Sequence, residues 1–332
     1  MSYPPNRLKT INSVVNDTWK SREQNAEKIC AQALTIPFPS KDKPLSSEIQ
    51  ELKGCDSYNL YYGFDKPSEP IKARKCAYLE KEHPNAMWGG APVLMMVYAN
   101  GKGIERNLGL ALRLACEHKE DSTPAEYLGR IEHLDQIRKE KIIGEPFDFC
   151  DDITSGFSQG ECAIKQSLFD NVIRTKRLEK LIAKWTDSNR QAYKILLTTW
   201  RNYLKFREGE IDQSGTARTA MLVENYDAME SDFLESLLKF EQGVFPRFTE
   251  SEFAKADQEL NQVYKKIQGN DSPDDMGTVT KADVKKAQKA WLKFRDAWVI
   301  FAKQKYPPVG AVDWKTWLTK GRTKLLQDGF AF

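Results

Sequence analysis

The sequence has few of the residues on which most catalytic chemistry depends. It has only three histidines, His83, His118 and His133, and their spacing matches no standard metal-binding pattern. No Gly-x-Ser-x-Gly motif and no Cys–His nucleophile pair is recognisable. Gly101-Lys102-Gly103 lacks the preceding strand and the following Gly-Lys-Ser/Thr of a phosphate loop. The sequence therefore predicts a protein that is not an enzyme and uses no metal or cofactor.

Long apolar runs and an excess of charge are also missing. The longest apolar stretch, residues 91–99, is too short to span a bilayer. The 332 residues include 50 Lys+Arg and 47 Asp+Glu, and this balance argues against binding nucleic acid through bulk charge. The first residues are polar and proline-rich, so the chain as given shows no export signal. Length and hydrophobic content predict two or three units with real cores.

Six cysteines are present, and none forms a CxxC motif, which argues against a zinc knuckle or a thioredoxin-type site. Cys150 and Cys162 flank a turn-rich loop, and Cys55 and Cys76 bracket a second loop. Both pairs are disulfide candidates in an oxidising compartment, and Cys30 and Cys116 are left as a third pair. The alternative is that all six are reduced and partly buried. The cysteines favour an exported protein, whereas the amino-terminal residues favour a cytosolic one.

Hydrophobic periodicity predicts an all-α fold. A first helix is expected over 8–34, a short one over 46–53, and further helices over 70–137. In residues 281–302 the apolar side chains recur at steps of three or four, which is typical of one helix face. The Gly144-Glu145-Pro146 break predicts a boundary between an irregular helical domain, 1–144, and a second helical domain, 147–332.

The second domain contains an internal repeat at an offset of 88 residues. The segment 203–208 matches 291–296 in an aromatic-Leu-Lys-Phe-Arg-acid pattern. Its signature residues are Tyr203, Phe206 and Arg207 in the first copy, and Trp291, Phe294, Arg295 and Asp296 in the second. Helical segments precede and follow each signature, so the domain is predicted to be two three-helix units, about 147–241 and 248–327. The alternative is that the signature is purely structural.

The second copy carries a family resemblance. Residues 254–264, Ala-Lys-Ala-Asp-Gln-Glu-Leu-Asn-Gln-Val-Tyr, followed by the signature at 286–296, resemble the LprI-like lysozyme-inhibitor family. The first copy is similar around Cys150 and Cys162, although the second copy lacks those cysteines. The resemblance implies a small helical, cysteine-containing inhibitor that is exported to the bacterial envelope.

A second resemblance lies upstream. Residues 94–104 and 107–115 are similar to one SEL-one-like repeat, a helical hairpin placed near 86–117. The Gly101-Lys102-Gly103 turn supplies the backbone freedom that a tight helix–helix connection needs. This resemblance implies a role in protein binding.

Three features are candidates for partner binding, and each has a plainer explanation. The polar loop around Asp271, Asp274, Asp275 and Met276 is a candidate for insertion into an enzyme cleft, or an ordinary loop. Trp314 and Trp317 form either an aromatic binding surface or part of a core. Residues 208–241 contain nine acids, including Glu224 and Asp227, and two bases, whereas 281–305 contain eight bases and two acids. These runs either steer a charged partner or face each other.

The leading hypothesis is a periplasmic or envelope inhibitor, or an immunity protein, that occludes an enzyme acting on peptidoglycan. The target would be a lysozyme-like hydrolase or a secreted toxin such as a type VI secretion effector. The alternative is a cytosolic helical scaffold that binds partners through the SEL-one-like region. Neither hypothesis involves nucleic acid or a membrane span. A hydrolase of unrecognised type is a third possibility, for which the sequence supplies no catalytic set.

Overall fold

The computed structural model describes residues 5–64, 66–82, 88–140, 146–270 and 276–330, with side chains from residue 18 onward. All regular structure in these residues is helical, as predicted. The chain divides into two compact units, Met1–Ser158 and Gln159–Phe332. Among the described helices, none combines the length and the apolar character needed to cross a membrane.

The described residues of the first unit form six α-helices and two short 3₁₀ turns. The helices are α1 (Pro5–Ala33), α2 (Ser57–Tyr62), α3 (Pro70–Glu82), α4 (Ala91–Asn100), α5 (Leu108–Glu117) and α6 (Pro124–Glu140); the turns are Ser40–Asp42 and Phe149–Asp152. The short helix predicted over 46–53 is wrong, because that segment forms consecutive turns. The short helix of this region is α2, which begins after the capping side chain of Asp56 and ends at Gly63, where φ is 75°.

Helices α4 and α5 pack on each other in the segment that resembles a SEL-one-like repeat, and α4 lies at the centre of the unit. Every residue from Pro92 to Ala99 is buried, because this helix is apolar on all faces and other helices surround it. The turn that follows contains Gly101 and Gly103, whose φ angles are 65° and 75°. A side chain at either position would be strained, so the two glycines allow the chain to reverse within a few residues.

Disulfide bonds join segments of the first unit that are separated in the sequence. Cys30 of α1 is bonded to Cys116 of α5, and Cys55 is bonded to Cys76 of α3. The Cα–Cα distances are 5.6 Å and 6.1 Å. Cys150 and Cys162 are disulfide-bonded cysteines as well, so the chain contains no free thiol. The alternative of six reduced cysteines is therefore wrong.

The first unit extends beyond the predicted boundary at residue 144. Phe147 and Phe149 are buried in its core. The Phe147 backbone N–H donates to Asn100 Oδ1 at 2.7 Å, and Asn100 Nδ2 donates back to the Phe147 carbonyl at 2.8 Å. The chain after the Gly-Glu-Pro segment thus still belongs to the first core, and the division falls at Ser158.

The described residues of the second unit contain six helices; the first three in chain order are called the first helical group and the last three the second. The helices are α7 (Gly156–Ile182), α8 (Asp187–Arg207), α9 (Arg218–Glu241), α10 (Glu250–Gly269), α11 (Lys281–Lys305) and α12 (Ala311–Gly329). The two signature helices, α8 and α11, pack against each other and α10 packs on α12. Ring centroids are 4.8 Å apart for Trp200 and Phe294, and 5.8 Å apart for Trp185 and Phe301. Because later residues of α8 meet earlier residues of α11, the two helices run antiparallel.

Candidate functional site

Two loops of the second unit meet at one end of the α8–α11 pair and are joined by Asp212. Its carboxylate accepts hydrogen bonds from the Thr278 backbone N–H (2.9 Å) and hydroxyl (3.0 Å). It also accepts from the Ser214 backbone N–H (3.0 Å) and hydroxyl (2.7 Å). The Gln213 backbone N–H donates to Thr278 Oγ1 at 2.7 Å. We call residues 212–214 and 276–280 the two-loop end.

The hydrogen bonds at Asp212 stabilise its charged form. The backbone N–H of Thr278 and the Ser214 hydroxyl are the largest contributors, and they lower the pKa of this carboxyl well below its usual range. Gly277 lies directly against this carboxylate with a φ of 56°. A Cβ there would stand 2.4 Å from Asp212 Oδ1, so only glycine fits. The two loops are therefore fixed in one arrangement by charge and by close approach.

The second loop is also anchored to the core on either side. Met276 and Val279 are each 8% exposed and pack into the hydrophobic core of the unit. Thr280 caps α11 by accepting from the Asp283 backbone N–H at 3.1 Å. On α10, which precedes the loop, Gln268 Nε2 donates to the carbonyl of Lys281, the first residue of α11, at 3.1 Å. The connection between α10 and α11 thus has tight attachments at both of its ends.

Beneath the two-loop end lies a buried ion pair. Both nitrogens of the Arg322 fork bind the Glu210 carboxylate, at 2.7 Å and 2.5 Å. Arg322 also donates to Gln288 Oε1 at 2.9 Å and to the Tyr203 hydroxyl at 3.2 Å. Arg207 adds a longer contact of 3.5 Å to Glu210. Groups from both halves of the unit therefore meet in one network at the base of the loops.

The repeated signature takes different roles in its two copies. Arg207 is buried and contacts Glu210, rather than serving as a surface pair with its neighbour. Arg295 is paired at 3.1 Å with the adjacent Asp296, which is exposed. The rings of Tyr203 and Phe294 stack with their centroids 5.9 Å apart, while Phe206 packs on the edge of the core and Trp291 is buried. The aromatic residues of the signature thus lie where the two helical groups pack, which fits the structural explanation of the repeat.

Several predicted partner-binding residues lie elsewhere than expected. Asp271, Asp274 and Asp275 lie outside the described residues. Met276 is not an exposed loop residue, because its side chain fills the core under the loop. Trp314 is 0% exposed and Trp317 is half-buried against the same aromatic cluster, so they do not form a surface patch.

Three of the six acids on α9 form ion pairs within their own unit. Asp227 pairs with Arg174 at 2.5 Å, and Glu235 pairs with Arg177 at 2.7 Å. Glu241 pairs with Lys305 of α11 at 2.7 Å. Glu224, in contrast, is exposed. Part of the acidic charge is therefore paired within the unit, by two arginines of α7 and by Lys305 of the basic helix.

The basic run of α11 keeps a solvent-facing row of lysines. Lys285, Lys289 and Lys293 are all exposed on one side of this helix, and none has an ion-pair partner within the described residues. An exposed row of this kind attracts negatively charged groups.

Sequence reasoning missed Asp212, Thr278, Glu210 and Arg322. The signal for Asp212 was the Asp-Gln-Ser-Gly tetrapeptide, since an aspartate two residues before a serine commonly makes a local turn. No comparable signal marks Glu210 and Arg322, which are 112 residues apart in the chain.

One comparison with known proteins finds a match to part of the chain. Residues 246–326 match the family model described as "Lysozyme inhibitor LprI". The match covers α10, α11 and most of α12, and it therefore includes the described part of the second loop. It does not extend to the first helical group or to the α4–α5 hairpin. No curated protein and no solved structure matches the chain.

Proposed function

We propose, from the match of residues 246–326 to the lysozyme-inhibitor family, that this protein binds and blocks an enzyme that acts on peptidoglycan. That match is the observation that carries the proposal. The matched segment contains the second loop of the two-loop end and Arg322, which ties the base of the loops together. The same occlusion would serve an immunity protein against a secreted wall-degrading toxin, such as a type VI effector.

The cysteines support a site of action in the bacterial periplasm or envelope. All six are disulfide-bonded, and disulfides persist mainly in oxidising compartments. This favours the envelope inhibitor over a cytosolic scaffold, whose cysteines would be kept reduced. The α4–α5 hairpin would then be a structural part of an exported protein rather than a cytosolic docking module.

The mechanism we propose is steric, with the two-loop end inserted into the cleft of the target enzyme. A loop that is already held in its binding conformation loses little conformational entropy when it binds. Asp212, Gly277 and the buried Met276 supply that rigidity. Asp271, Asp274 and Asp275 directly precede Met276 in the sequence, and we propose that they contact the target.

The exposed lysines of α11 indicate what charge the target surface should carry. The lysine row of α11 begins close to the two-loop end, since Thr280 of that end caps α11. Rim charges of this kind change the rate of association more than the final affinity. We therefore expect a target whose cleft rim is less basic than that of animal lysozyme, such as a bacterial wall enzyme. We also expect substitution of Glu224 to have little effect on inhibition.

The experiment is an inhibition assay with the purified, oxidised full chain against a panel of wall enzymes. The panel contains an animal lysozyme, bacterial muramidases and amidases, and a transpeptidase, with turbidity loss or product release as the readout. Asp212→Asn weakens the hydrogen bonds that join the loops and should raise the inhibitory concentration at least tenfold. Asp187→Asn is the matched control, because Asp187 is an exposed aspartate at the other end of α8.

A failure to inhibit any enzyme of the panel, while the chain remains folded, contradicts the inhibitor proposal. Equal inhibition by wild type, Asp212→Asn and Asp187→Asn contradicts the two-loop end as the contact surface and leaves the inhibitor proposal standing.

A further inference from the structure

The two signature helices carry an excess of positive charge that the chain as a whole does not have. Helices α8 and α11 contain 13 Lys and Arg and 3 Asp, whereas the full chain has 50 Lys+Arg and 47 Asp+Glu. Each of the three aspartates is paired with a base of its own helix: Asp187 with Arg190, Asp283 with Lys286, and Asp296 with Arg295. The other bases therefore have no counter-charge on these two helices.

One side of the α8–α11 pair is covered by neighbouring helices. The Trp200 ring of α8 stacks on Phe233 of α9 with the centroids 4.8 Å apart, and the Trp298 ring of α11 lies 5.2 Å from Trp317 of α12. Successive residues of a helix are about 100° apart around its axis. Ile300 follows Trp298 by two positions, so it projects from the opposite side of α11.

The uncovered side of the pair presents two isoleucines along its seam. Ile195 of α8 is 60% exposed and Ile300 of α11 is 73% exposed. Gln304 Nε2 of α11 donates to Ser188 Oγ of α8 at 2.8 Å, and this contact across the seam is exposed. Ile300 lies one turn before Gln304 and Ile195 lies two turns after Ser188, so in this antiparallel pair both isoleucines lie along the same outward seam.

Lysines surround these isoleucines on the same side. Lys285, Lys289 and Lys293 follow one another at steps of four residues, and Ile300 lies two turns after Lys293. Lys205 is exposed on α8. Within the part of the chain that the structure describes, these four lysines form no ion pair. We call Ile195, Lys205, Lys285, Lys289, Lys293 and Ile300 the basic face.

The combination of lysines and exposed isoleucines matches the chemistry of an anionic lipid surface. Lysine ammonium groups on flexible stems are attracted to the phosphates of anionic headgroups. Exposed aliphatic side chains are stabilised when they leave water and enter the boundary between headgroups and acyl chains. A soluble anionic polymer would satisfy the lysines but offers no apolar layer for the two isoleucines.

We propose that the basic face binds the surface of a membrane that contains anionic phospholipid, with α8 and α11 lying along that surface. The lysines contact the headgroups, and Ile195 and Ile300 enter the interfacial layer. This proposal does not depend on the inhibitor function, because its partner is lipid and its contacts are made along the helices rather than by the loops at their end.

Co-sedimentation of the full chain with vesicles tests the proposal. The vesicles are phosphatidylcholine alone, or phosphatidylcholine with about 30% phosphatidylglycerol as the anionic lipid. We expect at least tenfold tighter binding to the anionic vesicles at about 50 mM NaCl, and a large loss of binding at about 500 mM, because salt screens exposed charges.

A lysine variant assigns the contact to the basic face. Each lysine near an anionic surface strengthens binding about fivefold, so a triple change of Lys285, Lys289 and Lys293 to Gln should weaken vesicle binding at least tenfold. The matched control changes three exposed lysines of the first unit to Gln and removes the same charge; they are Lys20, Lys28 and Lys53. Circular dichroism shows that each variant remains folded.

An isoleucine variant distinguishes a membrane from a soluble polymer. The double variant Ile195→Ser, Ile300→Ser should bind anionic vesicles at least fivefold more weakly, because it loses apolar burial in the interfacial layer. It should bind inorganic polyphosphate as the wild type does. The control is Leu45→Ser, Ile71→Ser, which changes two exposed apolar residues of the first unit.

Three results would overturn the proposal. The first is equal binding of the wild type to anionic and to neutral vesicles, or no binding to either. The second is equal vesicle binding by the folded lysine variant and its control. The third is unchanged vesicle binding by the isoleucine variant together with tight binding of polyphosphate, which would show that the face binds anionic polymers through charge alone.

Discussion

Glu210 and Arg322 form a bidentate ion pair whose side chains are both 0% exposed to solvent. Glu210 follows the signature helix α8 of the first group, and Arg322 lies on α12 of the second group. Tyr203 and Gln288 satisfy further donors of the arginine. The pair therefore joins the two helical groups at a point where neither charge is solvated.

Removal of one partner from this pair should be costly. Arg322→Met leaves the Glu210 charge buried without its counter-ion, and we expect a loss of about 3–5 kcal/mol in the free energy of unfolding. Chemical denaturation followed by tryptophan fluorescence measures it. The combined variant Glu210→Gln with Arg322→Met should recover part of that loss, because no charge then remains unpaired.

Lys324→Gln provides the comparison for the ion pair. Lys324 pairs with Asp328 at 2.6 Å on the exposed side of the same helix. An exposed pair of this kind contributes about 0–1 kcal/mol. A loss in Arg322→Met no larger than the loss in Lys324→Gln would show that the buried pair does not hold the two helical groups together.

Gly277 should tolerate no side chain. In Gly277→Ala the new methyl group meets the Asp212 carboxylate and the backbone has a φ of 56°, so we expect both lower stability and weaker inhibition of the target enzyme. Gly243→Ala is the control, because Gly243 has a φ of 81° and open space around its Cα. The two variants share the cost of the left-handed backbone, about 1–2 kcal/mol. The excess loss in Gly277→Ala reports the contact with Asp212, and equal losses would show that this contact is unimportant.

The two disulfides of the first unit should differ in their effect. The Cys30–Cys116 bond joins residues 86 positions apart, whereas the Cys55–Cys76 bond joins residues 21 positions apart. Loop-closure entropy then predicts that a Cys30→Ser, Cys116→Ser double variant loses about 1 kcal/mol more than the corresponding Cys55, Cys76 variant. Denaturant titration of both variants measures the difference, and the opposite order would mean that local strain or residual structure outweighs chain entropy.

His118 gives the first unit a stability that depends on pH. Burial, followed by the nearby charge of Arg130, lowers the pKa of His118 despite its contact with Asp121. The unfolded chain then binds a proton more readily than the folded one. The contribution of His118 is complete above about pH 6.5, its unfolded value, and is lost as the pH falls from there through the lower pKa of the folded state. An NMR titration of the imidazole should give a pKa below 6.5, and a higher value would contradict the assigned environment.

The helices were the most predictable part of the fold. In α11 the apolar residues recur at helical spacing over its whole length, and its expected start at residue 281 is confirmed. The turn between α4 and α5 was marked in the sequence by Gly101 and Gly103. The missed helix α2 has only six residues, and its capping residues Asp56 and Gly63 were its only local signal.

The site was less predictable, because its contacts connect residues that are distant in sequence. Met276 stands in a polar segment, and only the packing of α8 and α11 shows that its side chain is buried. Trp314 and Trp317 have the composition of a binding surface, yet Phe240 and Trp298 cover them. The sequence analysis treated the acids of α9 as charges that could attract a partner, although arginines of α7 pair with Asp227 and Glu235.

The most direct test of the account is a titration of one susceptible wall enzyme with the oxidised full chain, under steady-state conditions and with increasing substrate. Occlusion by the two-loop end predicts inhibition that saturates at one chain per enzyme and weakens as the substrate concentration rises. Absence of inhibition across the whole panel of wall enzymes by a folded chain would contradict the central claim.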